Sequence, residues 1–311
     1  MGPKVSIIIP TQRRLRPLML AARSAFRQTG VEVSTLELVV VDNDAVPSAR
    51  ETVKALEAEA PFPVRYVHEP RAGVAYARNA AMAAAAGEAI AFLDDDEEAP
   101  DGWLAALVSA QARLGADVVF GPVRARAPAA IVRHRIYFER FFSRLGPDEE
   151  RVLDTYFGCG NSLLRRAALP DWTTPFSLER NHIGGEDDLL FGQMQARGAT
   201  FGWAPGAFVW EDPAPGRLTL RYTLARAFAY GQGPTEHCAS STPPNYPGVA
   251  KWMAVGLVQG AVFGLIALVK ALISAPDRAE ALDRAARGFG KTFWGGPFKI
   301  AFYGLPARTA T

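Results

Sequence analysis

The chain has 311 residues, of which 49% are apolar, and its formal net charge is only +2. This length and apolar share predict a substantial core, in one large α/β domain with an appendage or in two domains. The small net charge excludes a global basic field of the kind that attracts nucleic acid, and the two distant cysteines and four scattered histidines match no zinc-binding spacing.

Apolar strands alternate with helical patterns over the first 125 residues. The predicted strands cover residues 5–9, 36–41, 64–68, 89–93 and 118–124. The predicted helices cover residues 15–28, 48–60, 74–86 and 101–114. Near-continuously apolar strands separated by helices indicate a mostly parallel, Rossmann-like sheet with helices on both faces.

Polar residues follow directly after these strands, where the ligand lies in sheets of this kind. They are Thr11 after the first strand, Asp42 and Asp44 after the second, Glu69 and Arg71 after the third, and the acids 94–98 after the fourth. The pattern predicts one binding edge built from several strand ends.

The run Asp94-Asp95-Asp96-Glu97-Glu98 predicts a site for a hard divalent cation. Because side chains alternate along an extended strand, we expect Asp94 and Asp96 on one side and Asp95 on the other. Two carboxylates at a strand end suit Mg²⁺ or Mn²⁺, which neutralise a diphosphate. A solvated acidic loop is the alternative, although five adjacent acids repel one another without a cation.

The second half of the chain is less regular. Residues 126–157 are rich in arginine and aromatic residues, and helices are predicted at 186–197 and 217–230, with short strands at 200–204 and 207–211. Four prolines between residues 231 and 248 predict a linker, with bounds 234–250. The predicted domains are therefore a main domain over 1–233, with halves 1–125 and 126–233, and a helical tail over 251–311.

Residues 252–273 form an apolar stretch in which Gln259 and Lys270 are the only strongly polar residues. A spanning helix needs about 20 mostly apolar residues, so the length suffices. A buried helix of a soluble core is the alternative. A single span would place the basic tail opposite the main domain, against the positive-inside rule. A re-entrant or interfacial helix, or a second crossing by residues 293–305, resolves that conflict.

Five short motifs occur in a fixed order, at residues 5–11 (VSIIIPT), 39–44 (VVVDND), 69–79 (EPRAG, then ARN), 92–96 (FLDDD) and 185–189 (GEDDL). Together they resemble the family 2 glycosyltransferases, inverting enzymes of the GT-A fold that use nucleotide sugars. The resemblance runs from Val5 to about Gly233. It implies a GT-A catalytic domain whose halves bind nucleotide and acceptor, followed by the apolar helical appendage.

The resemblance also implies roles for the matching residues. Asp187 is expected to be the general base toward the acceptor hydroxyl, and Asp96 is expected to bind the metal. Acceptor contacts are expected from Asn161, Glu186 and Arg221. Contacts to the nucleotide sugar are expected from Pro10, Thr11, Asp42, Arg71, Arg78, Asp94 and Asp95.

Each assignment has a plain structural alternative. Asp42 fits a turn residue or helix cap. Arg71 and Arg78 fit surface arginines, although the guanidinium of Arg78 suits a diphosphate or the acidic cluster. Glu186 and Asp187 fit the acidic start of a helix.

The sequence therefore predicts an inverting transferase that moves a sugar from a nucleotide-diphosphate sugar, expected to be UDP-linked, to a hydroxyl of a glycan or lipid-linked acceptor. Mg²⁺ or Mn²⁺ is the expected cofactor, and no nucleic-acid partner is expected. The apolar tail predicts association with the cytoplasmic side of the cell membrane, where Arg284, Arg287 and Lys291 suit contact with anionic lipid.

Two rival functions remain. A nucleotidyltransferase normally presents a glycine-rich, basic loop after the first strand, and residues 10–14 (PTQRR) hold no glycine. A non-catalytic membrane scaffold with the same fold would not need the acidic motifs at 94–96 and 186–187, which are intact.

Overall fold

The computed structural model describes residues 4–181 and 185–300, which divide into two compact units. Within those residues, the first unit comprises 4–124, 143–181 and 185–211, and the second comprises 125–142 and 212–300. The division differs from the predicted boundary at residue 233. Leu218 packs with Ala279, so the segment after residue 211 belongs with the C-terminal helices.

Strands and helices alternate through the first unit, and the second unit is helical. The strands are β1 (Val5–Thr11), β2 (Leu36–Asp42), β3 (Val64–His68), β4 (Ala89–Phe92), β5 (Glu97–Glu98), β6 (Val118–Phe120), β7 (Val123–Ala125), β8 (Arg151–Leu153), β9 (Ser162–Arg165), β10 (Phe201–Trp203) and β11 (Val209–Glu211). The helices are α1 (Leu15–Phe26), α2 (Arg50–Glu59), α3 (Val74–Ala84), α4 (Trp103–Leu114), α5 (Arg135–Phe142), α6 (Glu186–Ala196), α7 (Leu220–Ser240), α8 (Tyr246–Leu272) and α9 (Arg278–Thr292).

The main sheet of the first unit has the strand order β3-β2-β1-β4-β9-β6-β10-β8. Strands β3, β2, β1 and β4 are parallel neighbours, and β10 is parallel to β6. Strand β9 runs antiparallel between β4 and β6, and β8 runs antiparallel to β10. The carboxyl ends of β1, β2 and β4 therefore lie at one edge.

Alternation along the central strands supplies both faces of this sheet with apolar side chains. Ile7 packs in one buried cluster with Leu104 of α4, and Ile8 packs in the other with Met82 of α3. The prediction of a mostly parallel sheet with helices on both faces is confirmed.

The predicted strand at 118–124 is broken into β6 and β7 at Gly121 and Pro122. Proline has no backbone N–H to continue a ladder. The carbonyl of Pro122 instead accepts from Val209 N–H at 2.9 Å and from Asn161 Nδ2 at 2.8 Å. Strand β7 joins a small sheet in the order β5-β11-β7.

The predicted linker at 234–250 is wrong for most of its length. Helix α7 continues through Pro234 to Ser240, and α8 begins at Tyr246, which leaves only residues 241–245 between them. A proline inside a helix costs a backbone hydrogen bond, but α7 is held by α9: the Thr235 hydroxyl donates to the Lys291 carbonyl at 2.8 Å.

Within the described residues, α8 is the one helix long and apolar enough to cross a membrane. Only 17% of its most apolar stretch is buried, so the alternative of a soluble-core helix does not hold there. A second membrane crossing was predicted at residues 293–305. Residues 293–300 form no α-helix, and residues 301–305 lie outside the described part of the chain.

Candidate active site

The ends of β1, β2 and β4 bring the predicted polar residues together. Thr11 ends β1 directly beside Asp42, which ends β2. The Thr11 hydroxyl donates to Asp95 Oδ2 at 2.7 Å and so ties β1 to the acidic loop after β4. Thr11 and Asp95 are buried, and Pro10 is half-buried.

Arg14 holds two of the acidic side chains at this edge. Its guanidinium donates to Asp95 Oδ1 at 2.6 Å and to Asp96 Oδ2 at 2.9 Å. The predicted alternation, with Asp95 turned away from Asp96, is wrong because β4 ends at Phe92 and residues 95–96 form a turn. Burial raises the pKa of Asp95 to about 7, against the opposing positive charge of Arg14.

Asp94 lies against the glycine-rich loop formed by residues 158–160. A Cβ added at Gly160 would lie 2.8 Å from Asp94 Oδ2, so a side chain at this position would have to displace the Asp94 carboxylate. Burial raises the pKa of Asp94, and the nearby charge of Arg78 opposes that rise. The Asp94 backbone N–H donates to Glu97 Oε2 at 2.9 Å, which fixes the start of the acidic turn.

Arg78 is buried and clamps the acidic start of α6. Its Nη1 donates to Glu186 Oε1 at 2.5 Å and lies 3.9 Å from Asp187 Oδ2. The guanidinium also lies 5.9 Å and 5.5 Å from the ring centroids of Phe92 and Phe176. The surface-arginine alternative therefore does not hold for Arg78, which serves the acidic cluster.

Asp187 is the more open member of the acidic pair. Its side chain is 19% exposed, against 5% for Glu186. Asp187 Oδ2 accepts from the Cys159 backbone N–H at 2.9 Å, and Oδ1 accepts from the Asp188 N–H at 3.0 Å. These bonds orient the carboxylate and leave part of it accessible, next to the loop that also contacts Asp94.

The loop at 158–160 is supported by Arg144, whose Nη1 donates to the Gly158 carbonyl at 2.8 Å and whose Nη2 donates to the Gly160 carbonyl. Desolvation lowers the pKa of Arg144, and Glu97 opposes that change. Neither Arg144 nor Arg14 was predicted from the sequence as a site residue. Arg14 lies three residues after Thr11, which was a usable signal, whereas Arg144 lies in a stretch without regular pattern.

Asp42 is fully buried and engaged with the protein. Its Oδ2 accepts from the Ala49 backbone N–H at 2.7 Å and from the Tyr66 hydroxyl at 2.9 Å. Burial, together with this hydrogen bond, raises the pKa of Tyr66 to about 12. These contacts match the turn alternative for Asp42, and the N-cap residue of α2 is Ala49.

Asn161 is fully buried as well. Its Nδ2 donates to the carbonyls of Pro122 and Ala207 at 2.8 and 2.9 Å, and its Oδ1 accepts from Trp103 Nε1 at 2.7 Å. These amide contacts join α4 to the segments at Pro122 and Ala207.

Arg71 lies outside this cluster of hydrogen bonds and ion pairs. Arg71 is exposed and pairs with Glu69 at 2.7 Å. Its loop is braced by Asn43, which donates to the Arg71 carbonyl at 2.8 Å and accepts from Gly73 N–H at 2.8 Å. Arg221 is exposed on α7, in the second unit.

The acidic loop offers only oxygen atoms as metal ligands, and these are the ligands that Mg²⁺ and Mn²⁺ prefer. Over residues 4–181 and 185–300, no three or more His, Cys, Asp or Glu side chains are grouped to hold an ion by themselves. Mg²⁺ does not require such a group, because it takes one or two carboxylates and completes its shell with waters and substrate phosphates. Asp96 already binds a cationic group, the Arg14 guanidinium, so the residues present fit a divalent ion that displaces it.

Comparison with known sequences gives one family. Residues 6–172 match the family model described as glycosyl transferase family 2. The chain is 36% identical over 228 residues to the succinoglycan biosynthesis protein ExoM of Rhizobium meliloti, covering 73% of each protein. It is also 35% identical over 94 residues to an uncharacterized glycosyltransferase of Nostoc, covering 30% of this chain and 28% of that one.

Solved structures share the fold. The mannosyltransferase PcManGT from Pyrobaculum calidifontis, in complex with GDP-Man and Mn²⁺, gives a TM-score of 0.58 at 19% identity, covering 94% of this chain and 88% of that one. A fragment of TarS from S. aureus gives a TM-score of 0.53 at 17% identity, covering 93% of this chain and 90% of that one. The predicted GT-A fold is confirmed.

Proposed function

Because this chain belongs to glycosyl transferase family 2, we propose that it transfers a sugar from a nucleotide-diphosphate sugar to a hydroxyl group, with inversion at the anomeric carbon. The proposed donor is UDP-linked, and the TarS fragment bound to UDP supports this choice. The proposed acceptor is a glycan or a lipid-linked glycan of polysaccharide assembly, supported by the relative named for succinoglycan biosynthesis.

One observation carries the proposal: the partly open Asp187 carboxylate is held by the loop at 158–160, which also contacts Asp94. A general base must reach the hydroxyl that it deprotonates, and Asp187 is more open than Glu186. Asp187 takes the acceptor proton as the hydroxyl oxygen attacks the anomeric carbon. The attack comes from the face opposite the diphosphate, whose C–O bond breaks as the new bond forms.

The donor would lie at Pro10, Thr11, Asp94 and Asp95, because ligands bind at the carboxyl ends of parallel strands. Asp96 would hold Mg²⁺ or Mn²⁺, which supplies positive charge to the leaving diphosphate. Arg78 acts as a positioning residue: it holds the Glu186–Asp187 pair at the edge of the site. Asp42 supports the same edge through the turn before α2.

The second unit suggests where the acceptor lies. Helix α8 is apolar and mostly exposed, and an exposed apolar surface of this kind suits a membrane. The enzyme would then work at the cytoplasmic side of the cell membrane, where a lipid-linked acceptor is within reach of a membrane-bound protein.

Titration of the full chain with a panel of nucleotide sugars, in Mn²⁺ and in EDTA, tests the proposal. One donor should bind in Mn²⁺ and lose affinity in EDTA. Asp96→Ala should weaken that binding by at least about tenfold, because it removes a proposed metal ligand. Asp101→Ala is the control, since Asp101 is an exposed acid five residues further along the chain.

The outcomes separate the rival functions. If no donor binds in a metal-dependent way, the result favours a non-catalytic scaffold, and the acidic loop then has a structural role. If the chain instead joins a nucleoside triphosphate to a sugar 1-phosphate and releases pyrophosphate, it is a nucleotidyltransferase.

Arg14→Met should tighten the binding of Mn²⁺ in the absence of donor. The Arg14 guanidinium binds carboxylate oxygens of Asp95 and Asp96, and Mn²⁺ must displace it. Because a hydrogen bond between charged groups contributes roughly 1.5–3 kcal/mol, removing the guanidinium should raise the Mn²⁺ affinity about tenfold. Electron paramagnetic resonance of free Mn²⁺ gives the affinity directly. Arg13→Met removes the same charge one residue away, from a side chain that is 72% exposed and pairs with Asp44. Equal Mn²⁺ affinity in the two variants would rule out competition by Arg14.

A further inference from the structure

Helix α8 presents one continuous apolar face to solvent. From residue 254 to residue 272, the exposed side chains on this face cover about half of the circumference at 3.6 residues per turn, and all of them are aliphatic. They include Leu257, Val258, Val262, Leu265, Leu268 and Val269.

The opposite side of α8 is covered by α9, which runs antiparallel to it. Gln259 donates to the Arg284 carbonyl at 2.8 Å and accepts from Lys291 Nζ at 3.0 Å. The helices approach closely, since a Cβ on Gly256 would lie 2.5 Å from the Gly288 carbonyl oxygen. The polar interruption in the sequence of α8 therefore faces α9 and leaves the outer face unbroken.

Helix α9 is charged along its length. Arg287 pairs with Asp283 at 2.7 Å, and Arg284 is exposed. At the far end, Lys270 of α8 pairs with Asp277, just before α9 begins. If α8 crossed a membrane, α9 would carry these ionised groups into the hydrocarbon, where they are costly. The pairing of the two helices therefore argues against a transmembrane α8.

We propose that α8 lies in the plane of an anionic membrane surface, with its apolar face in the acyl boundary and α9 on its water side; the choice of a cell membrane as the surface rests on the proposed function. An amphipathic helix in this orientation buries one face and keeps its polar side hydrated. The arrangement also removes the conflict with the positive-inside rule, because no part of the basic tail has to cross the bilayer.

Two pairs of basic and aromatic side chains, one near the N-terminal end of α8 and one on its α9 side, support lipid as the occupant. Lys251 Nζ lies 5.8 Å from the Trp252 ring centroid, and the Arg284 guanidinium lies 5.1 Å from that of Phe263. Basic and aromatic side chains paired in this way suit the headgroup region, with the ring at the boundary and the charge toward phosphate.

A second copy of the chain fits this face less well. Protein interfaces place aromatic and arginine anchors near their centre and add hydrogen bonds that fix the register. Here the exposed face over residues 254–272 is purely aliphatic, and the aromatic and basic pairs lie near the N-terminal end of α8 and on its α9 side. A fluid acyl layer needs no fixed register, so it matches the chemistry of the face.

Membrane depth distinguishes the two orientations of α8. Val258, Leu265 and Leu272 are exposed and recur every seven residues along one line of the helix. Each would be replaced by Cys in the full chain, labelled with bimane, and quenched by spin-labelled lipids at graded depths in phosphatidylglycerol-containing vesicles. An in-plane helix predicts one shallow depth for all three labels. A spanning helix predicts depths that change by about 10 Å from one label to the next, and that result would overturn the proposal.

A charge on the face provides the second test. Leu265→Glu should lower vesicle affinity by about tenfold or more, because it places a carboxylate where the proposal buries a leucine in the acyl layer. Leu145→Glu is the matched control: Leu145 is 64% exposed against 63% for Leu265, and it lies in the first unit. Equal losses of affinity in both variants would contradict the assignment of this face.

Donor titrations on the same samples separate this inference from the proposed function. Donor binding without vesicle binding, or self-association through α8 without lipid quenching, would overturn the membrane inference and leave the transferase proposal standing. Vesicle binding at one shallow depth without any donor binding would support the inference and count against the proposed function.

Discussion

Asp187→Asn should lower kcat by about a thousandfold, because a positioned general base contributes roughly a hundred- to ten-thousandfold. The amide oxygen of asparagine can still accept from the Cys159 N–H, so the fold and the donor affinity should stay close to those of the unsubstituted chain. The measurement is release of nucleoside diphosphate from the donor identified in the binding panel, with membrane lipid extract as acceptor source.

Asp188→Asn is the matched control for this experiment. Asp188 is the next residue along α6, carries the same charge and is exposed, so its variant should keep most of the activity. If Asp187→Asn retained more than a tenth of the rate, another group would have to be the base.

Arg78→Met should give the largest loss of stability among single substitutions in the site. Removing one partner of a buried ion pair costs about 3–5 kcal/mol, and both Arg78 and Glu186 are buried. The melting temperature should fall by about 10 °C. Activity should fall as well, because Asp187 loses the cation 3.9 Å away that helps to position it.

A double variant and an exposed pair serve as controls for Arg78→Met. Adding Glu186→Gln should restore part of the lost melting temperature, since the buried carboxylate that was paired with Arg78 is then removed. Arg71→Met breaks a similar pair with Glu69, but the Arg71 side chain is 65% exposed, and its cost should stay below about 1 kcal/mol. Equal melting temperatures for Arg78→Met and Arg71→Met would contradict a structural role for the buried pair.

The stability deficit of Arg78→Met should also depend on pH. Burial raises the pKa of Glu186, and Arg78 opposes that rise, so the variant should hold a proton on Glu186 to higher pH. The unfolded chain releases that proton at about pH 4.3. Above that pH the folded variant binds more protons than the unfolded one, and its stability falls as the pH rises. Melting temperatures at pH 5 and pH 8 measure this difference.

The fold was accessible from sequence wherever local patterns and core burial agree. The apolar runs at 36–41 and 89–93 correspond to β2 and β4 within one residue, because a strand buried on both faces must be apolar almost throughout. The prolines after residue 231 predicted a linker where a helix forms, because the packing of α7 on α9 outweighs the local cost of Pro234.

Residue types and spacing determined the family, the parallel sheet and the acids that converge on its edge. Tertiary structure decided how those acids are held. The contact of Arg14 with Asp95 and Asp96 spans more than 80 positions, and the contact of Arg78 with Glu186 spans more than 100. Such pairs depend on how strand ends and helix starts meet in space, and no local periodicity records that. The same reason applies to α8: its sequence determined an apolar helix long enough to span a membrane, and only the packing of the charged α9 against Gln259 and Gly256 revealed which side of it stays polar.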